Sequence, residues 1–165
     1  MGKCYSLLSR ITPALFFLVI AAGVITVWLD FLLLPITWLL AWLTCGVIIA
    51  LGVYLFALSM KEFDRSEQRM PVPPSMPKAL VTSGIYSSIR HPHYLTGLLF
   101  SFAFAIGFRS LIGLLITLVY VAVTYAFVLE EEKLLIGKFG EAYREYRARV
   151  PMFIPSLRRK NKPSP

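Results

Sequence analysis

The chain has 165 residues, of which 57% are hydrophobic and only 16% charged, and its net charge is +8. A soluble globular domain carries about a quarter of its residues as charges, so the composition excludes an ordinary water-soluble domain and points to one membrane-embedded unit over residues 1–165. The positive balance does not indicate nucleic acid, because no nucleic-acid-binding motif accompanies it.

Residues 11–29 carry no charged side chain, and neither do residues 31–60, 94–108 and 110–129. A crossing helix needs about 20 mostly apolar residues. This predicts an all-α integral membrane fold with four transmembrane helices, at about 13–29, 36–58, 94–108 and 111–129, the third of them short. Lys3 and Arg10 before the first apolar run resemble the start of a signal peptide. The run outlasts the roughly 7–15 residues of a signal core, so a retained anchor is expected. Asp30 and Pro35 mark the first turn. In the connection over residues 60–90, Pro71, Pro73, Pro74 and Pro77 predict an extended chain. A connection that long often carries function. Gly107-Phe108-Arg109-Ser110 predicts a tight turn, and Ala103 and Gly107 have the small-residue spacing that lets helices approach closely. Beyond Leu129 the apolar residues Leu135, Phe139, Ala142, Tyr143, Tyr146 and Val150 recur at three- and four-residue steps. They predict a cytoplasmic amphipathic helix over about 130–150 that extends the fourth span and lies at the interface. Pro151 ends it, and residues 156–165 read as a disordered tail.

Sixteen of the 17 Lys and Arg residues fall on one side of this four-helix path, with Arg109 alone on the other. That asymmetry predicts both termini in the cytoplasm, with the protein in the inner membrane of a bacterium or the endoplasmic reticulum of a eukaryote. The basic tail would touch anionic lipid headgroups, which makes membrane lipids partners. Cys4 and Cys45 have no metal-ligand spacing, and neither a metal nor a disulfide is expected.

Two polar stretches interrupt the apolar pattern: Leu80-Val81-Thr82-Ser83-Gly84-Ile85-Tyr86-Ser87-Ser88-Ile89-Arg90-His91-Pro92-His93-Tyr94, and Glu130-Glu131-Glu132 followed by Phe139-Gly140-Glu141-Ala142-Tyr143. Single Tyr or Arg residues at such depths anchor a helix at the headgroups. Arg, His and Tyr grouped together at a helix end are costly and need another reason. Successive helical residues point about 100° apart, so only one or two of the three glutamates face the His91 region. A carboxylate there can bind a cationic ligand such as a sulfonium or an ammonium.

The spacing Leu80-Val81-x-x-Gly84-x-Tyr86-x-x-x-Arg90-His91-Pro92-x-Tyr94, then Glu131-Glu132, Phe139-Gly140-x-x-Tyr143-x-x-Tyr146 and Val150-Pro151, resembles the signature of the isoprenylcysteine carboxyl methyltransferase family. That family is related to integral-membrane phospholipid N-methyltransferases. The resemblance covers about half of the chain; the first two spans match only as apolar helices. It implies an S-adenosylmethionine (SAM)-dependent methyltransferase whose cofactor pocket lies between the loop before the third span and the helix after the fourth. By that resemblance Lys78, Leu80, Val81, Tyr86, His91, Pro92, His93, Tyr94 and Glu131 would bind the cofactor. Lys78 stands where relatives often have His, and a cofactor-holding Gln of some relatives finds no counterpart here other than Gln68. Phe127 stands where prenylcysteine-methylating members carry an Arg proposed to meet the substrate carboxylate. An aromatic ring cannot pair with a carboxylate, so Phe127, as the acceptor-side residue, turns the expectation away from a prenylcysteine.

Methyl transfer from a sulfonium is an in-line displacement for which alignment and desolvation do much of the work. A carboxylate or thiolate acceptor needs no base at neutral pH. An amine must lose a proton, for which Glu131 or Glu132 is the candidate, and Arg90 completes the expected catalytic set. The leading expectation is thus methylation of a lipophilic acceptor at the cytoplasmic membrane face, with an O, N or S acceptor open. A phospholipid amine N-methyltransferase is the alternative within the same class. A non-catalytic membrane-interaction protein or transporter fragment with degenerate motifs is the alternative outside it. Arg90, His91, Tyr94 and Glu131 occurring together weigh against that last reading, as does the lack of a mid-span charge.

Overall fold

A computed structural model describes residues 3–29, 33–66 and 77–154. The expectations for Asp30, for Gln68 and the prolines at 71, 73 and 74, and for the 156–165 tail lie outside the described residues. Within them the chain is helical: α1 (Lys3–Leu29), α2 (Trp38–Arg65), a short 3-10 helix (Gly84–Ser87), α3 (Pro92–Gly107), α4 (Leu111–Phe139) and α5 (Glu141–Arg149). Three helices are long and apolar enough to cross a membrane, α1 over Leu7–Trp28, α2 and α4. The 16 residues of α3 are equally apolar. At 1.5 Å per residue they reach about 24 Å, short of a 30 Å hydrocarbon layer.

The elements differ from the sequence expectation at their ends. α1 runs through Pro13 instead of beginning there. Proline removes one backbone donor, a loss that packed membrane helices tolerate. Just before it, the Thr12 hydroxyl donates to the Leu8 carbonyl at 2.8 Å. α2 continues past residue 58 to Arg65, because Glu62 and Arg65 pair one turn apart at 2.9 Å and Phe63 is buried. The single helix expected over residues 130–150 is two. Gly140 adopts φ 60° and ψ −130°, a conformation that only glycine takes readily, and it ends α4 and starts α5.

Local chemistry explains the other ends. Thr37 and Ser110 cap α2 and α4, their hydroxyls accepting from the Leu40 and Gly113 amides at 3.4 and 2.9 Å. Pro92 opens α3 at its first turn, where a missing N–H costs nothing. Val150 is extended ahead of Pro151, as a residue before proline prefers, and α5 stops there.

α3 packs chiefly on α2, and α4 on α1. The close approach expected at Gly107 is present: a Cβ there would sit 2.9 Å from Cys45 Sγ of α2. Hydroxyl pairs join the helices inside the bundle, Thr26 to Ser110 at 2.8 Å and Ser101 to Thr117 at 2.9 Å. The outward faces are apolar, with Leu39 73% and Val47 71% exposed, which suits lipid and not water. At one end of the bundle the two tight turns are clipped together. Arg109 donates from Nε and Nη2 to the Leu34 carbonyl at 3.1 and 2.9 Å, and its guanidinium lies over the Trp38 ring. The polar residues gather at the other end.

Candidate functional site

The site is assembled from four places in the sequence. The first is the end of α2. The buried Glu62 accepts the Ser83 hydroxyl at 2.7 Å and pairs with Arg65, so it fastens the chain that leads into the 3-10 helix. Gly84 has φ +53°, and a Cβ at that position would collide with the Glu62 carboxylate. Glycine is therefore required twice over, by dihedral and by space. The turn delivers Tyr86 into the interior, edge-on to Phe63 with ring centroids 5.6 Å apart. The Tyr86 carbonyl accepts the Tyr146 hydroxyl at 2.6 Å, which ties the turn to α5.

Arg90 and His91 precede α3 and are held by backbone. Their amides donate to the Pro151 and Met152 carbonyls at 2.9 and 3.2 Å. The Arg90 guanidinium closes the end of α5, donating from Nη1 to the Arg147 and Val150 carbonyls at 2.7 and 2.6 Å. Its Nη2 lies 2.8 Å from Glu132 Oε1. Arg147 Nε lies 3.1 Å from the other oxygen of the same carboxylate.

The three glutamates at the end of α4 separate as helical geometry demands. Glu130 turns outward to Lys133. Glu131 and Glu132 are buried and take opposite sides of the His91 ring, with Nδ1 3.8 Å from Glu131 Oε2 and Nε2 3.3 Å from Glu132 Oε1. Glu132 is enclosed by two guanidiniums; Glu131 lies beside His91 and Tyr94, with no guanidinium paired to it among the described residues. Burial pushes the phenols of Tyr86, Tyr143 and Tyr146 well above the usual tyrosine range, so they stay protonated as hydrogen-bond donors.

Two cavities meet at this end of the bundle. The smaller, about 50 Å³, has a mainly apolar wall into which charged, imidazole and phenol groups are set; of the expected residues Leu80, Val81, Tyr86, Arg90, His91, His93 and Glu131 line it. The larger, about 550 Å³, lies among α1 to α4 and is mainly apolar, with Phe16, Phe56, Phe100, Tyr94 and Phe127 in its wall. Phe127 is buried, stacked on Tyr5 at 4.8 Å and edge-on to Tyr94 at 5.5 Å. Pro92 is buried at the start of α3 outside both linings, and Lys78 is exposed and outside them as well. Glu132 stands behind the small cavity and not in its wall.

Sequence reasoning missed Glu62, Tyr143 as a cavity-lining group, and the pairing of Arg147. Glu62 left one readable signal, an acid just past an apolar run, three residues before Arg65. Among the described residues no cluster of His, Cys, Asp or Glu has a metal-holding arrangement.

The sequence model of one family, phospholipid methyltransferase, matches residues 40–142, which include Glu62, the 80–94 stretch and both buried glutamates. The protein-S-isoprenylcysteine O-methyltransferase of Schizosaccharomyces pombe is 33% identical over 115 residues, 66% of this chain and 47% of that protein. The enzyme of the same name from Xenopus laevis is 39% identical over 84 residues, 48% of this chain and 28% of its own. The Delta(14)-sterol reductase TM7SF2 of Mus musculus is 29% identical over 115 residues, 63% of this chain and 28% of its own. The chain thus spans less than half the length of each of these relatives.

Proposed function

Since the chain belongs to the phospholipid methyltransferase family, we propose that it is an integral-membrane, SAM-dependent methyltransferase acting on a lipophilic acceptor at the cytoplasmic face of its membrane. The observation that carries this reading is the meeting of a cavity walled by Arg90, His91 and Glu131 at the helix ends with an apolar cavity inside the bundle. A water-soluble donor reaches the first and a lipid-dissolved acceptor the second.

The residues present suit such a donor. At the small cavity the Tyr143 hydroxyl is buried and lacks a hydrogen-bond partner among the described residues. Buried polar groups are nearly always paired, so this atom marks a place for a polar group of a ligand. Glu131, the buried carboxylate without a guanidinium, is the counter-charge for a cation. When bound, SAM supplies an electrophilic methyl group on a sulfonium. His91 orients Glu131, and Leu80, Val81 and Tyr86 form the walls, with Pro92 and Tyr94 fixing the start of α3 beneath them and Lys78 at the outer rim. The cavity holds about 50 Å³, room for a few waters, so the wall at Pro77–Val81 has to move outward to admit a nucleoside. Arg90 and Glu132, expected as catalytic groups, are consumed by one another and by backbone. Their part is to position His91 and α5.

The acceptor end follows from charge. Among the described residues no Lys, Arg, Asp or Glu lines the apolar cavity. Arg90 and Arg147 are engaged with Glu132, which leaves neither as a partner for an acceptor carboxylate. An amine or thiol head on an apolar chain suits Phe127 better than a prenylcysteine carboxylate. On this reading α3 is a short fourth crossing and both termini and the site lie in the cytoplasm, an orientation that the one-sided basic residues favour.

Calorimetric titration of SAM into the detergent-solubilised protein tests the reading. Micromolar binding supports it, and no binding sinks it. The sterol reductase relative aligns over a similar length, so the helical frame alone does not name the chemistry; donor binding does.

A further inference from the structure

One side chain belongs to both cavities. Among the described residues His93, in the first turn of α3, is the only one in the wall of the smaller cavity and of the apolar one. Its ring lies against that of Tyr94, centroids 3.9 Å apart, and its Nδ1 is buried without a hydrogen-bond partner. The carboxylates and the other histidine at this seam are committed or misplaced. Glu132 holds two guanidiniums and His91. His91 sits between two carboxylates. Glu131 lines the donor cavity but not the apolar one. In the apolar cavity the Thr12 and Thr96 hydroxyls already donate to carbonyls of their own helices, at 2.8 and 3.1 Å. Among the described residues the His93 imidazole is therefore the one nitrogen base in the walls of both cavities.

We propose that His93 is the catalytic base for the acceptor, taking the proton of an amine or thiol whose apolar chain lies in the large cavity. This rests on the methyltransferase reading above and adds a residue role and an acceptor class to it. The step balances without further reactants. The acceptor's nitrogen or sulfur lone pair forms the bond to the donor's methyl carbon, and the carbon–sulfur pair of the sulfonium stays on sulfur as a thioether. The acceptor's N–H or S–H proton passes to the imidazole, which then loses it to water through the smaller cavity. A carboxylate acceptor has no such proton and gives His93 nothing to do. A purely structural histidine in this position would have its buried nitrogen paired.

The test uses the full chain in detergent, SAM, and two acceptors of known chemistry, dioleoylphosphatidylethanolamine and dodecanethiol. A positioned base contributes at least about 100-fold, so His93→Gln is expected to lower kcat on the acceptor that is used by that factor, with KM little changed. SAM affinity, read by calorimetry, stays within about threefold, which also shows that the variant folds. In His93→Ala, added imidazole restores part of the rate. Unchanged kcat in His93→Gln overturns the inference. So does a loss of SAM affinity matching the loss of rate, which assigns His93 to the donor. SAM binding with no methyl transfer to either acceptor by the unmodified protein overturns the inference and leaves the donor site standing. Absence of SAM binding by the unmodified protein removes the underlying reading as well.

Discussion

Arg90 Nη2 lies 2.8 Å from Glu132 Oε1, and the two side chains are 8% and 1% exposed. A buried pair of this kind adds little over an apolar replacement, but breaking it strands a charge at a cost of about 3–5 kcal/mol. Glu132→Ala strands Arg90 and frees Arg147. We expect the melting temperature in detergent to fall by on the order of 10 °C. A melting temperature within about 2 °C of the parent would count against the network.

Glu131 is expected to behave in the opposite sense. It is buried with no guanidinium beside it. Glu131→Gln removes the cost of a poorly compensated buried carboxylate and leaves stability level or raised. It also removes the proposed counter-charge for the donor, so SAM affinity falls at least about 10-fold, as it should in His91→Ala. Thermal melting and calorimetry on the same sample check both halves. Parent-like SAM affinity in both variants would remove the proposed site.

Phe127 sets the third expectation. Its ring, stacked on Tyr5, is part of the apolar cavity's wall, and bringing an acceptor carboxylate there unpaired costs several kcal/mol. Radiolabelled methyl transfer should show little or no turnover of N-acetyl-farnesylcysteine and more of an aminophospholipid or a hydrophobic thiol. Robust prenylcysteine methylation by the unmodified protein would refute the charge argument.

Gly84 is the fourth. Alanine there brings the strain of a left-handed residue, about 1–2 kcal/mol, and a clash with the Glu62 carboxylate. The turn carrying Tyr86 shifts as a result. SAM affinity should drop several-fold in Gly84→Ala while the bundle, judged by helical circular dichroism, stays intact. A Gly84→Ala variant that binds SAM as tightly as the parent would show that the turn does not define the site.

Topology gives the fifth. On a Cys4→Ser, Cys45→Ser background, Ser66→Cys should be labelled from the cytoplasm only and Pro35→Cys from the other side only. The reverse pattern would invert the proposed orientation.

The sequence made the helices legible because lipid-facing and buried positions are both apolar, so each span is an uninterrupted run. It misplaced their ends for the same reason. Pro13 looks like a start when only local propensity is read, yet bundle packing carries the helix through it. Gly140 sits inside an unbroken three-four periodicity, and nothing in that periodicity shows the positive φ that splits the helix. At the site, His91, His93 and Tyr86 were visible because polar residues crowd one short stretch. Glu62 and Arg147 were not, because each lies far along the chain and acts only through tertiary contact. The shared anchoring of Arg90 and Arg147 on one carboxylate is a property of three segments together and of none alone.

The backbone of Arg90 and His91 is laid along residues 151–152, and the Arg90 side chain grips the carbonyls of Arg147 and Val150. The apolar helices among the described residues are therefore complete at residue 139, while the clasp that finishes the pocket lies beyond it. On the proposed reading, a polypeptide cut at Gly140 would keep the bundle and lose methyl transfer.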